Sequence, residues 1–208
     1  MQAIQLLMDE HRLIEKVLDG LGAYANRVTG SEAASAGLAD FVEFIKLFAD
    51  GLHHHKEEDI LFAHMTAVGF PREGGPIAVM LAEHTQLRAL VAQMAEALAQ
   101  PAPWNLGGRQ RVAALAREYA AILRLHIQKE DNILYPMARM HLPEADARQL
   151  WSQFEDFESS QAAERRRLEA LAHTLIERYQ PDSDRPVAEK AQPVCGCGGL
   201  PTNREVHK

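Results

Sequence analysis

Three pairs of side chains able to ligate a metal recur at a single offset in this chain. His11 and His84 stand 73 residues apart, as do His53 and His126, and as do Glu57 and Glu130. The match spreads to their neighbours. Glu10-His11 returns as Glu83-His84, and Leu52-His53-x-x-Lys56-Glu57-Glu58-x-Ile60-Leu61-Phe62 returns as Leu125-His126-x-x-Lys129-Glu130-Asp131-x-Ile133-Leu134-Tyr135. The chain therefore reads as one hairpin of two helices followed by a second copy of it. Two copies closing on each other bring two like sets of imidazoles and carboxylates to a shared centre.

Hydrophobic periodicity supplies the helices. Ile4, Leu7, Met8, Ile14, Leu18 and Leu21 mark one face of a helix predicted over about residues 2–28. Ser31 reads as the N-cap of a second helix to about residue 66, with Leu38, Phe41, Ile45, Phe48 and Leu52 on one side. Residues 68–76 hold three glycines and two prolines and read as a loop, with Pro76 at the first position of a third helix. Ile77, Met80, Leu81, Leu87, Val91, Met94 and Leu98 mark its buried face. After a second loop over residues 100–105, a fourth helix carries Leu115, Ile122, Leu125, Ile133 and Leu134 to about residue 140.

Pro143 opens a fifth helical region. The polar dip Ser159-Ser160-Gln161 allows a break in it, and it packs on the outside of the bundle or on a partner subunit, which leaves a homodimer open. From Pro181 onward little can be buried, so residues 181–208 read as a flexible tail. No strand pattern is present. The expected fold class is all-α: an antiparallel up-down-up-down four-helix bundle over residues 1–142, a C-terminal helical extension over 143–180, and the tail.

Composition narrows the partners. Lys and Arg total 22 against 29 Asp and Glu, a formal charge of −7, which lacks the basic footprint that holds a protein on nucleic acid. No uncharged apolar run approaches the roughly 20 residues that cross a bilayer, so no membrane partner is expected. Asp9, Glu10 and His11 interrupt the stretch where a signal peptide needs continuous apolar residues. Two cysteines cannot build a disulfide framework, and the expected location is the cytoplasm.

The spacing within each repeat speaks to chemistry. In His-x3-Glu the two side chains lie about one helical turn apart, with roughly 6 Å of rise between them, and project from the same face. His11 falls among Ile4, Leu7, Ile14 and Leu18, and His84 among Ile77, Met80, Leu87 and Val91, so both point inward. Burying two carboxylates is costly unless cations sit between them. Imidazole with carboxylate suits iron, manganese or zinc, and paired bridging carboxylates suit two ions close together. A hydrogen-bonded core accounts for one inward histidine, not for four with two carboxylates at a common offset. His54-x3-Glu58 offers a second register, but His53 and Glu57 are preferred because only they match the second copy. The other six histidines, His54 among them, then read as ordinary residues, and Arg165-Arg166-Arg167 as a solvated helix face.

Glu10-His11, His53-His-His-Lys-Glu57-Glu58-Asp-Ile-Leu-Phe62, Glu83-His84 and His126-Ile-Gln-Lys-Glu130-Asp-Asn-Ile-Leu-Tyr-Pro136 resemble the hemerythrin-like, or HHE cation-binding, domain family over about residues 3–140. The resemblance implies a four-helix bundle around two non-heme iron ions, with zinc or manganese as substitutes. It implies that His11 and His53 bind one iron, that His84 and His126 bind the other, and that Glu57 and Glu130 bridge. Oxygen-carrying members place a further histidine four residues after the one matched by His84, where this chain has Arg88. The centre is thus expected to have one imidazole fewer and an open position for an exogenous ligand, with Arg88 or Tyr119 as candidate hydrogen-bond donors to it and a surface salt bridge as the plainer role for Arg88.

The implied function is binding of, or reaction with, dioxygen, nitric oxide or peroxide in sensing, stress defence or iron–sulfur repair. The competing readings are a metal-responsive or metal-transfer protein, with Cys195-Gly-Cys197 as its exit or docking element, and a structural bundle that takes up metal by chance.

Overall fold

The computed structural model describes residues 1–30, 37–101 and 103–180. All regular structure among them is helical. Helix α1 is Gln2–Gly30, two residues longer than its periodicity predicts. Helix α2 occupies residues 37–67 and α3 is Gly75–Leu98. Helix α4 occupies residues 106–141 and α5 is Glu144–Arg178. The Ser31 cap, the tail and Cys195 and Cys197 lie outside the described residues. None of the described helices is long and apolar enough to cross a membrane.

Local chemistry fixes the ends. Asn105 caps α4 by accepting a 2.8 Å hydrogen bond from the Gly108 amide, and Pro76 sits in the first turn of α3, where its missing N–H costs nothing. Helix α5 runs unbroken through Ser159-Ser160-Gln161, because Ser160 turns its hydroxyl back to the Phe157 carbonyl and leaves the helix intact. At its far end Tyr179 closes against α2. A Cβ at Gly37 would collide with the Tyr179 hydroxyl, so a glycine is needed at that approach.

Wide helix interrupts the α geometry first in α2 and again in α4. Ile45–His54 and Lys56–Leu61 in α2, and Glu130–Leu134 in α4, form i→i+5 hydrogen bonds. Each wide turn holds more residues, so more side chains face one side before the helix rotates away. Pro136, which cannot donate to the turn before it, follows the stretch in α4. Ala63 holds the equivalent place after Lys56–Leu61, so widening there does not require the proline, while Ile45–His54 has no wide counterpart in the second copy, where residues 118–127 are α-helical.

Helix α1 lies along α4 and α5, and α3 along α4 and α2. The core is split in two. Leu18, Leu21, Phe41, Phe48, Met94 and Leu123 belong to one apolar cluster, and Ile4, Leu7, Leu61, Phe62, Met80 and Leu134 to another. On every helix the polar residues fall between the two. His11 lies between Leu7 and Ile14, Glu57 between Leu52 and Leu61, His84 between Met80 and Leu87, and Glu130 between Ile127 and Leu134. A buried polar layer crosses the bundle with apolar packing above and below it.

Candidate metal centre

The six residues singled out by the repeat are all buried in this layer and meet at one place. His11 and His53 approach through Nε2 at 3.0 Å, and His84 and His126 do the same at 3.0 Å. The two carboxylates lie between the pairs. Glu130 sets Oε2 3.2 Å from His11 Nε2 and Oε1 3.1 Å from His126 Nε2. Glu57 Oε2 is 3.7 Å from His53 Nε2 and 3.6 Å from His84 Nε2.

Each ring is held from behind by a carboxylate. Nδ1 of His11 donates to Asp131 at 2.8 Å, His53 to Glu10 at 2.8 Å, His84 to Glu58 at 2.6 Å and His126 to Glu83 at 2.9 Å. An ionised carboxylate only accepts, so Nδ1 carries the proton and Nε2 is left with a lone pair facing the centre. Carboxylates behind ligating histidines hold ring orientation and raise the basicity of the inner nitrogen. The four braces themselves follow the repeat, Glu10 matching Glu83 and Glu58 matching Asp131.

The centre is thus a convergence of acceptors: paired Nε2 lone pairs with Glu57 Oε2 and both Glu130 oxygens, which are buried and lack a hydrogen-bond donor. Such a set is repulsive unless positive charge stands within it. The donor set, imidazole nitrogens with carboxylate oxygens, is the one that divalent iron, manganese and zinc prefer. Without an ion, protons take that role. Burial opposes charge on His11, but Asp131 and Glu130 outweigh it and hold its pKa up at about 9. Burial pushes His53 down to about 4. Glu57 is driven well above the carboxylate range by burial and by the charge of Glu130, whereas His126 and His11 overcome burial to hold Glu130 well below it.

Among the described residues, two groups have ligand atoms close enough to share an ion: His11, His53, Glu57 and Glu130, and His54, Glu57, His84 and His126. The second corrects the sequence reading. His54 is not an ordinary histidine; its ring stacks on His84 at 3.8 Å between centroids, its Nδ1 donates to Asp50 at 3.3 Å, and its buried Nε2 has no hydrogen-bond partner. The repeat hid it, because the matching position is Ile127. The run His53-His54-His55 was the available signal, and the wide helix is what lets two adjacent rings turn inward. His55 remains outside, paired with Asp59.

Tyr135 was also missed as a site residue. Its hydroxyl donates to Glu57 Oε1 at 2.5 Å and lies 3.3 Å from His11 Nε2, while the ring stacks on His11. Arg88 does not enter the centre. It clamps Asp50 and Glu58, at 2.6 and 2.7 Å, so it braces the carboxylates behind His54 and His84. Tyr119 is buried beside His54 along a cavity of about 150 Å³ that Asp50, Leu87 and Val91 also line. Of the arginine run, only Arg167 and Arg166 face solvent; Arg165 turns inward.

The profile of the hemerythrin HHE cation binding domain matches residues 2–138. No curated protein matches the chain. The match spans both hairpins and every residue of the centre just described, and the chain belongs to the hemerythrin HHE cation binding domain family.

Proposed function

We propose that the chain is a non-heme di-iron protein that binds or reacts with dioxygen, nitric oxide or peroxide, within an antiparallel up-down-up-down four-helix bundle located in the cytoplasm. The observation that carries this reading is the position of Glu57 and Glu130, each within 3.7 Å of one histidine from either pair. A carboxylate placed so can bridge two ions; one serving a single ion would face one pair only. His11 and His53 would hold the first ion, and His84 and His126 would hold the second with His54 as a third imidazole. Zinc or manganese would fit the same donors.

Iron held there supplies reversible electron transfer to a small ligand. The chain's own residues do the rest. The carboxylates behind the rings fix their direction, and the two apolar clusters keep bulk water from the layer. The His11 and His53 position has one imidazole fewer than its neighbour and lies beside the Tyr135 hydroxyl, whose single proton goes to Glu57 Oε1. Every candidate ligand is at most 2% exposed, which favours a diatomic molecule or peroxide over a larger substrate.

The test is a visible spectrum of the iron-loaded, anaerobically reduced protein before and after dioxygen, nitric oxide or peroxide. A charge-transfer band that appears or moves with the added ligand is expected. Stable iron with no spectral response would instead favour a metal-responsive or metal-transfer role, and native protein that takes up no metal would overturn both.

A further inference from the structure

The polar layer does not stop at the four helices that carry the ligands. On α5 it continues between Phe154, in one apolar cluster, and Leu168, in the other, as Glu158 and Arg165. Both lie beyond the family-matched residues 2–138. Arg165 Nη1 donates to Glu10 Oε1 at 2.5 Å and to Glu158 Oε2 at 2.8 Å, and its guanidinium lies over the Phe48 ring. Lys56, fully buried, donates to the same Glu10 oxygen and to Glu158. The other oxygen of Glu10 receives the Nδ1 proton of His53.

The second copy of the repeat has the same inner parts and lacks this cover. Glu83 accepts from His126 Nδ1 and from Lys129, as Glu10 does from His53 and Lys56. Lys129, however, is 40% exposed, and the described residues place no counterpart of Arg165 or Glu158 on Glu83. Two sequence-equivalent braces therefore sit in different surroundings. One is a buried carboxylate held by two cations, the other a partly solvated carboxylate held by one. A carboxylate shared among more cations has less negative charge to offer the imidazole it supports, and a buried one has no water to make up the difference.

We infer that α5 acts on the metal centre at one position only, with Arg165 and Glu158 as positioning residues that set the orientation and basicity of His53 through Glu10, so that two ligand sets of like sequence hold unlike ions. This inference rests on the metal-centre reading above.

The experiment loads the full chain with cobalt(II) and follows the exchangeable Nδ1 protons of the ligating histidines, which the paramagnetic ion shifts clear of the other proton signals. Glu10→Gln identifies the His53 signal. Arg165→Met is expected to shift that signal and leave those of His84 and His126 in place, and Arg165→Lys to return it most of the way. Glu158→Gln, at a partly exposed position, is expected to move the same signal, and serves if Arg165→Met does not fold. Movement of all the signals together would indicate a general loss of packing and overturn the inference, as would a His53 signal that stays fixed while two cobalt ions remain bound. Failure of the unsubstituted chain to bind two cobalt ions would overturn the metal reading itself, a result separable from the other two by stoichiometry alone.

Discussion

The two halves of the centre share a sequence and differ in chemistry. Each contributes a histidine from its first helix, a His-x3-Glu pair from its second, a Glu brace and a Lys behind that brace. Two substitutions and one change of surroundings between them break the symmetry. His54 has Ile127 as its match, Phe62 has Tyr135, and the buried Lys56 has the exposed Lys129. A repeat therefore places candidate ligands in kind and number, while single positions beside it decide how many imidazoles, hydroxyls and charges each ion would meet. The Tyr135 ring stacks on His11 at 5.4 Å between centroids and the Phe62 ring on His84 at 6.3 Å, so the apolar packing is retained and only the hydroxyl is new.

The largest effects are expected at what the halves share. Glu130→Ala or Glu57→Ala should lose bound metal from both positions, since each carboxylate spans them, whereas His55→Ala should retain full occupancy; metal analysis of the three purified variants decides this. Equal metal in all three would contradict the bridging assignment. Next comes the lysine pair. Lys56→Met strips a buried cation from the buried Glu10 and the partly exposed Glu158 and should cost about 3–5 kcal/mol in denaturant unfolding. Lys129→Met, at a solvated position, should cost less than about 1 kcal/mol. Equal costs would mean that α5 leaves the two surroundings alike.

A smaller change is expected where the halves differ by one atom. Tyr135→Phe makes that position resemble Phe62, removes the donor to Glu57 Oε1, and should destabilise the metal-free chain by about 1–3 kcal/mol. The smallest effect is a pH dependence. With its pKa held at about 9, His11 is protonated at neutral pH in the metal-free chain, and an entering ion must displace that proton. Affinity for cobalt(II) should therefore rise with pH, by about tenfold per unit between pH 7 and pH 8 from this proton alone. A flat profile would contradict a protonated His11 among the ligands.

Much of this was legible in the sequence, and for identifiable reasons. Buried helical faces repeat every three to four residues, so Leu7, Ile14, Leu18 and Leu21 in α1 and Ile77, Met80, Leu87, Val91 and Met94 in α3 announced themselves. The ligand pairs were found because duplication preserved them at a fixed offset. The same signal concealed His54 and Tyr135, whose roles exist only in one copy. It also depended on ideal helical spacing, and the i→i+5 turns over Ile45–His54 and Lys56–Leu61 bring His53 and His54 inward together, which an undistorted helix would place about 100° apart. Arg165 was out of reach for a different reason: its partner Glu10 is 155 residues away, and nothing local separates it from the solvated Arg166 and Arg167 beside it.

The claim that joins these observations is that one centre holds two bridged and unlike ions. Mössbauer spectroscopy of the full chain loaded with iron-57 tests it most directly. Two iron ions per chain are expected, giving two distinct quadrupole doublets of equal area, one from a site with three imidazoles and one from a site with two. A single iron per chain, or two irons giving one doublet, would contradict it.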